Sequence, residues 1–153
     1  MNSSNLKTQS TIKDRLAVYS LLREIDSSLN YFETIENLES ETDFYIDNVR
    51  FIADSVIDET LEDELKSDLY VLGCFNASFL CDYCGLSINA IEALQKAEAF
   101  EALGEIIVEA GQTLELAQDY ARYDGYGHHF NGYDFDEQEL SYNGELWHVF
   151  DNR

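Results

Sequence analysis

Residues 33–68 read ETIENLESETDFYIDNVRFIADSVIDETLEDELKSD, and the reading of this stretch decides the fold. Thirteen carboxylates (Glu33, Glu36, Glu39, Glu41, Asp43, Asp47, Asp54, Asp58, Glu59, Glu62, Asp63, Glu64 and Asp68) stand there against two cations, Arg50 and Lys66. A charge block this dense is ordinarily a disordered acidic tail. Here the acids are interleaved with Phe44, Tyr45, Ile46, Val49, Ile52, Ala53, Val56, Leu61, Leu65 and Leu69 at three- and four-residue spacing, which is the period of an amphipathic helix. The stretch therefore predicts helices with a negative face, held against their own self-repulsion.

Composition sets the outer limits. A chain of 153 residues fits one domain, and a domain of that size hides roughly 70% of the surface its unfolded chain exposes. A 45% hydrophobic content with ten Tyr and nine Phe argues for globular folding, because disordered acidic chains are poor in aromatics. The formal net charge of −22, from 31 acids against nine Lys and Arg, disfavours direct binding to nucleic acid or to an anionic leaflet, since phosphate contacts need cations. Basic proteins, or proteins with basic grooves, are the expected partners. Cys74, Cys81 and Cys84 make an odd number, and no apolar signal segment follows Met1; a reduced, cytoplasmic protein is expected. No run of 18 apolar residues is present, so no membrane span is expected.

Along the chain, residues 1–10 are polar and without periodicity and predict a flexible start, followed by a single α-rich domain over 11–153. Ser10 or Thr11 can cap a first helix over about 11–37 with Asp14 in its first turn, and Ile12, Leu16, Tyr19, Leu22, Ile25, Leu29 and Phe32 form its stripe. Thr42 predicts the cap of a second helix over about 43–57 whose inner face is Tyr45, Val49, Ile52 and Val56. Thr60 and Asp63 resemble a capping arrangement for a third helix, running from about 61 past Gly73 to Cys84 and ended by Gly85. Ser87 caps a fourth that continues to Gly111, and Thr113–Tyr123 forms a last one before Gly125. Asn143-Gly144 is a strong hairpin signal; a two-residue turn pairs Tyr142 with Glu145, Leu140 with Trp147 and Glu139 with His148 in a ribbon over about 136–151. The predicted fold class is mainly α, four to five helices closed by a C-terminal β-hairpin.

Candidate chemistry is sparse. Cys81 and Cys84 have zinc-like spacing, with Cys74, His128 and His129 as further donors, yet tetrahedral zinc needs four converging ligands, and the neighbouring Phe75, Phe79 and Leu80 mark these cysteines as small core hydrophobes. The segment Cys81–Leu94 is spaced like a helix-turn-helix, but its second helix carries Glu92, Lys96, Glu98 and Glu101 and lacks a base-reading cluster. Asp134, Asp136, Glu137 and Glu139 do not match a calcium loop, whose sixth position is glycine; here it is Glu139. No nucleophile–histidine pair, phosphate loop or H-E-x-x-H is present. His128 and His129, with Glu139 and His148, are the one place where acid–base groups could gather. The chain is expected to be non-catalytic, without cofactor or metal.

The charge remains. Residues four apart on a helix are separated by about 6 Å of rise, so Glu36, Glu39, Asp43, Asp47, Asp54, Asp58 and Glu62 are expected to form a negative ridge that binds the partner together with Asp63 beside it. Duplex DNA offers one phosphate per roughly 3.4 Å of axis on each strand, so a second row, from Asp26, Glu33, Asp63 and Asp68, is needed. In its small size, its acidity, its scarcity of Lys and Arg, and its close through Asp124-Gly125-Tyr126-Gly127-His128-His129-Phe130 to Trp147-His148-Val149-Phe150, the chain resembles the small acidic antirestriction and anti-CRISPR proteins of phages and mobile elements. The resemblance implies a DNA mimic: a cytoplasmic inhibitor, without cofactor or catalysis, in the basic groove of a restriction enzyme, methyltransferase or CRISPR effector. It rests on overall character, so the site residues above come from spacing alone. The alternative is an accessory module that leaves its acids solvated and docks or dimerises through Tyr123, Tyr126, Phe130, Tyr133, Phe135 and Trp147.

Overall fold

The structure is a computed structural model describing the backbone of residues 3–153 and the side chains of residues 12–153. In chain order its elements are α1 (Ser3–Ile25), α2 (Tyr31–Ser40), β1 (Asp43–Ile46), β2 (Val49–Ala53), α3 (Ile57–Ser67), α4 (Leu69–Gly73), α5 (Ala77–Cys84), α6 (Ile88–Lys96), α7 (Phe100–Glu109), α8 (Thr113–Asp124), α9 (Tyr126–Phe130), β3 (Gln138–Tyr142) and β4 (Glu145–Asp151). The chain is thus mainly helical with a small antiparallel sheet, and nine helices among the described residues replace the expected four to five. It groups into two compact units, Met1–Ile57 with Tyr126–Arg153, and Asp58–Gly125. Among the described residues no helix is long and apolar enough to cross a membrane.

The first unit overturns the reading of the opening stretch. Residues 43–53, expected as helix, are a β-hairpin in which Ile46 pairs with Val49 and Asp43 with Ile52. Its apolar residues satisfy both periods, but Phe44, Ile46, Val49, Phe51 and Ala53 all enter one buried cluster, which is the alternation of a strand. Phe, Tyr, Ile and Val also favour the pleated surface over the helix. Asp47-Asn48 makes the turn, with Asp47 at φ 55°, a conformation Asp tolerates better than most residues. Thr42 caps nothing; its carbonyl accepts from Ala53 N at 2.8 Å and continues the ladder.

The second hairpin forms as its turn predicts. Leu140 lies opposite Trp147, Tyr142 opposite Glu145 and Glu139 opposite His148, with Asn143 at φ 52° and Gly144 at φ 79°. The two hairpins join through antiparallel β2 and β4, giving the order β1-β2-β4-β3. On one face Phe44, Phe51, Tyr142, Trp147 and Val149 cluster with Val18, Leu21 and Leu22 of α1 and Ile35 and Leu38 of α2; each large side chain so buried contributes about 1.5–3 kcal/mol. On the other, the Phe130 ring of α9 meets Phe150 at 5.2 Å, and the Arg50 guanidinium sits 5.0 Å from the Phe130 centroid.

The helix expected over 11–37 is two helices. Asp26 accepts from Ser28 N at 2.8 Å, and the Asn30 side chain caps α2 by accepting from Glu33 N at 3.0 Å, so the turn chemistry of Asp and Asn breaks the helix between them. The inner face of α1 is Val18, Leu21 and Leu22, while Ile12, Leu16 and Tyr19 of the expected stripe are 56%, 61% and 49% exposed. Asp14 lies mid-helix and accepts from Asn143 N at 3.0 Å. Of the expected flexible start over 1–10, Met1 and Asn2 lie outside the described residues, and Ser3–Ser10 have helical backbone.

The second unit holds α4 to α8 and all of α3 after its first residue. The expected long helices are again cut by side-chain caps: Asp68 accepts from Val71 N at 3.2 Å and Asn76 from Ser78 N at 2.8 Å, while Thr60 lies inside α3. Ser87 caps α6 as expected, accepting from Ala90 N at 3.1 Å. The expected fourth helix is divided at Glu98, which has φ 56°. Leu61, Leu65, Leu72, Leu80, Ile91, Leu103 and Ile107 are buried. Where α4 meets α7, a Cβ on Gly104 would lie 2.2 Å from the Leu69 carbonyl oxygen and one on Gly73 2.0 Å from that of Phe100, so both positions need glycine for the backbones to approach.

Candidate functional site

The eight candidate carboxylates do not share one helix. Glu36 and Glu39 lie on α2, Asp43 opens β1, Asp47 is in the β1–β2 turn and Asp54 follows β2, all in the first unit; Asp58, Glu62 and Asp63 lie on α3 in the second. The regular four-residue ladder required residues 43–57 to be helical, and the hairpin removes it. Glu36, Glu39, Asp47, Asp54 and Asp63 are exposed, whereas Asp43, Asp58 and Glu62 are half-buried.

Their partners divide them further. Asp43 takes a two-pronged ion pair from the buried Arg50, Nε to Oδ1 at 2.9 Å and Nη2 to Oδ2 at 2.7 Å, the geometry in which a guanidinium binds a carboxylate most strongly. Glu39 accepts from the Tyr142 hydroxyl at 2.7 Å; burial, then this carboxylate, pushes the phenol up to about 12. Glu62 accepts from the Thr113 hydroxyl at 2.7 Å and Asp58 from Gln118 Nε2 at 3.3 Å.

Other cations are engaged with the chain's own acids. Arg153 binds Asp26 at 2.7 Å and Asp151 at 3.0 Å and donates to the Ile25 carbonyl at 3.0 Å. The hydrogen bond from Ser28 N, with help from Arg153, holds the Asp26 carboxyl down at about 2. Arg122 binds Asp119 at 2.9 Å, which also accepts from the Tyr83 hydroxyl. In the second unit fifteen carboxylates stand against Lys66, Lys96 and Arg122.

Among the described residues an acid–base cluster forms around His148, with partners other than the expected ones. His148, on β4 and 4% exposed, is held between two carboxylates, Nε2 to Asp54 at 2.8 Å and Nδ1 to Glu137, with Tyr126 edge-on at 5.0 Å. Burial alone lowers an imidazole pKa; here the hydrogen bonds and charges of Glu137 and Asp54 outweigh it and raise the pKa. When protonated the ring donates from both nitrogens, so that it ties Asp54 to Glu137 as a clamp. His128 stacks on Phe135 at 4.8 Å and His129 meets Phe130 edge-on at 4.9 Å. Spacing pointed to His148 and Glu139 as cross-strand neighbours but missed Asp54 and Glu137, which reach the imidazole only through the fold.

Cys84 is buried, Cys81 half-buried and Cys74 exposed, and the Cys81 thiol donates to the Ser78 carbonyl at 3.2 Å. Among the described residues no group of three or more His, Cys, Asp or Glu is placed to hold a metal ion. No family profile, curated protein or solved structure matches the chain.

Proposed function

We propose that the chain is a non-catalytic inhibitor, free of cofactor, that imitates the charge of DNA and blocks a nucleic-acid-binding host defence protein, a restriction–modification enzyme or CRISPR effector, in the host cytoplasm. The observation that carries this reading is the placement of the cations: Arg50, Arg122 and Arg153 each bind the chain's own carboxylates, while Glu36, Asp47 and Asp63 face solvent. Solubility alone is served by a net charge of magnitude about 2–8 in a small domain, and −22 lies far beyond it. Charge mimicry here rests on the exposed acids of each unit taken by itself, those of α2 and the β1–β2 turn in the first and of α3 in the second, without a ladder along one helix. Asp43 and Asp54, tied to Arg50 and His148, serve the fold first.

The test is capture of the partner from host lysate at low and high salt, followed by charge reversal. With the partner in hand, affinity falls about tenfold or more as salt screens the contact, duplex DNA competes, and the triple variant Glu36→Lys, Asp47→Lys, Asp63→Lys loses binding while its melting temperature holds or rises. Binding that ignores salt and survives the triple reversal refutes the mimic. The competing reading, docking through the C-terminal aromatics, is favoured by one observation: Tyr133 and Phe135 are 78% and 56% exposed. Phe130 and Trp147 are buried and unavailable to it. Under that reading Tyr133→Ala and Phe135→Ala abolish binding and the acidic triple does not.

A further inference from the structure

We propose that the outer face of α1 is a self-association surface on which α1 of a second copy packs antiparallel about a two-fold axis. Ile12, Leu16 and Tyr19 recur at helical spacing and stand 56%, 61% and 49% exposed. The apolar surface continues onto α2, where Tyr31 meets Tyr19 at 6.2 Å and Phe32 at 5.3 Å, and Phe32 is 81% exposed. A groove of about 380 Å³ runs between Ile12, Arg15, Leu16, Tyr19 and Tyr31. A contiguous apolar patch of this kind on a charged protein marks an interaction site, and nothing in the proposed inhibitory contact uses it.

Charge selects the occupant. Two copies at −22 each repel, so they can meet only where the local charge is not negative. Among the described residues the exposed charges of α1 are Lys13, Arg15, Arg23 and Glu24, Arg15 lying 3.9 Å from Glu39 of α2 and Asp14 being turned to the Asn143 amide. Lys13 and Glu24 are eleven residues apart, about three helical turns, and so project from the same flank at opposite ends of the apolar stripe. An axis passing between Leu16 and Tyr19, perpendicular to both helices, keeps like flanks together and reverses their direction. It brings Lys13 of each copy alongside Glu24 of the other, twice per dimer. An isologous contact of this type is the commonest in homodimers.

Sedimentation equilibrium of the purified chain tests this. The expected result is a dimer that tightens as salt is raised, because screening relieves the repulsion between copies; the inhibitory contact has the opposite salt dependence, so failure of one reading is separable from failure of the other. Leu16→Glu weakens the dimer about a hundredfold or more, since it places two carboxylates in the seam, yet keeps the monomer's circular dichroism because Leu16 is exposed there. Lys13→Glu and Glu24→Lys each weaken it about two- to fivefold, and the double variant recovers the loss. A monomer at every concentration and salt, a dimer indifferent to Leu16→Glu, or a double variant no better than the singles overturns the proposal.

Discussion

Replacing His148 by Gln removes a buried imidazole held between two carboxylates while keeping a side chain of similar reach, and the structure sets the size of the effect. Burial opposes the imidazolium, but the hydrogen bonds and charges of Glu137 and Asp54 raise the folded pKa above the ordinary 6.5. The His148 side chain is 5% exposed and Glu137 22%, so that arm is a largely desolvated charge-assisted bond, whereas Asp54 is 55% exposed. The Glu137 arm contributes about 2–3 kcal/mol and the Asp54 arm, screened by water, under about 1 kcal/mol. Loss of both lowers the melting temperature by roughly 8–14 °C in a chain of this size. Because the folded pKa is raised, the contribution is fully present below the unfolded imidazole value of about 6.5 and is lost as pH rises through the folded value. Urea unfolding of wild type and His148→Gln, from pH 6 to pH 9, reads both quantities: the gap is widest at pH 6 and narrows toward pH 9. A gap that is absent at pH 6, or that widens with pH, refutes the clamp.

Gly104→Ala forces a Cβ to 2.2 Å from the Leu69 carbonyl oxygen and destabilises by about 3 kcal/mol; an unchanged urea midpoint refutes the close crossing of α4 and α7. Gly144→Val, at φ 79°, costs about 1–3 kcal/mol because a β-branched residue resists that conformation, seen as a lower melting temperature, with no change counting against the two-residue turn. Elemental analysis of the purified chain finds no stoichiometric zinc, and a chelator leaves the melting temperature in place; one zinc per chain with chelator-sensitive folding overturns the reading of Cys81 and Cys84 as packing residues.

What was legible in the chain was local. Asn143-Gly144 specifies its turn from two residues, and the register of β3 on β4 follows. Ser87 and Gly85 bracket α5 and α6 as capping chemistry requires. The β1–β2 hairpin was missed because Val49, Ile52 and Val56 also satisfy a helical period, and only Asp47-Asn48, a weaker turn signal than Asn-Gly, marks the reversal. The extra helix breaks at Asn30, Asp68 and Asn76 fall inside amphipathic stretches, where a capping side chain looks like one more solvent-facing polar residue. Glu98 carries no sign in its residue type of the positive φ that parts α6 from α7. The His148 clamp joins positions 94 and 11 residues away, and no spacing rule predicts that partnership.

The same tertiary contacts change what the acidic composition means. Spacing alone treats Asp43, Asp47 and Asp54 as equivalent members of a row, yet Asp43 neutralises the guanidinium of Arg50, a residue 9% exposed, Asp54 holds an imidazole, and Asp47 forms an exposed turn. Removing the first strands a buried cation, an unfavourable state by several kcal/mol; reversing the third relieves repulsion in a chain of net −22. A charge-reversal series that includes Asp43 therefore destabilises the hairpin sheet and imitates loss of partner binding, and Asp54 adds a smaller loss through His148, whereas Glu36, Asp47 and Asp63 report on the partner alone. Glu39 lies between the classes, since its bond to the Tyr142 hydroxyl joins α2 to β3. Glu39→Gln keeps that acceptor and removes the charge, so a loss of partner affinity at unchanged stability assigns Glu39 to the contact surface, and a loss of stability alone assigns it to the fold.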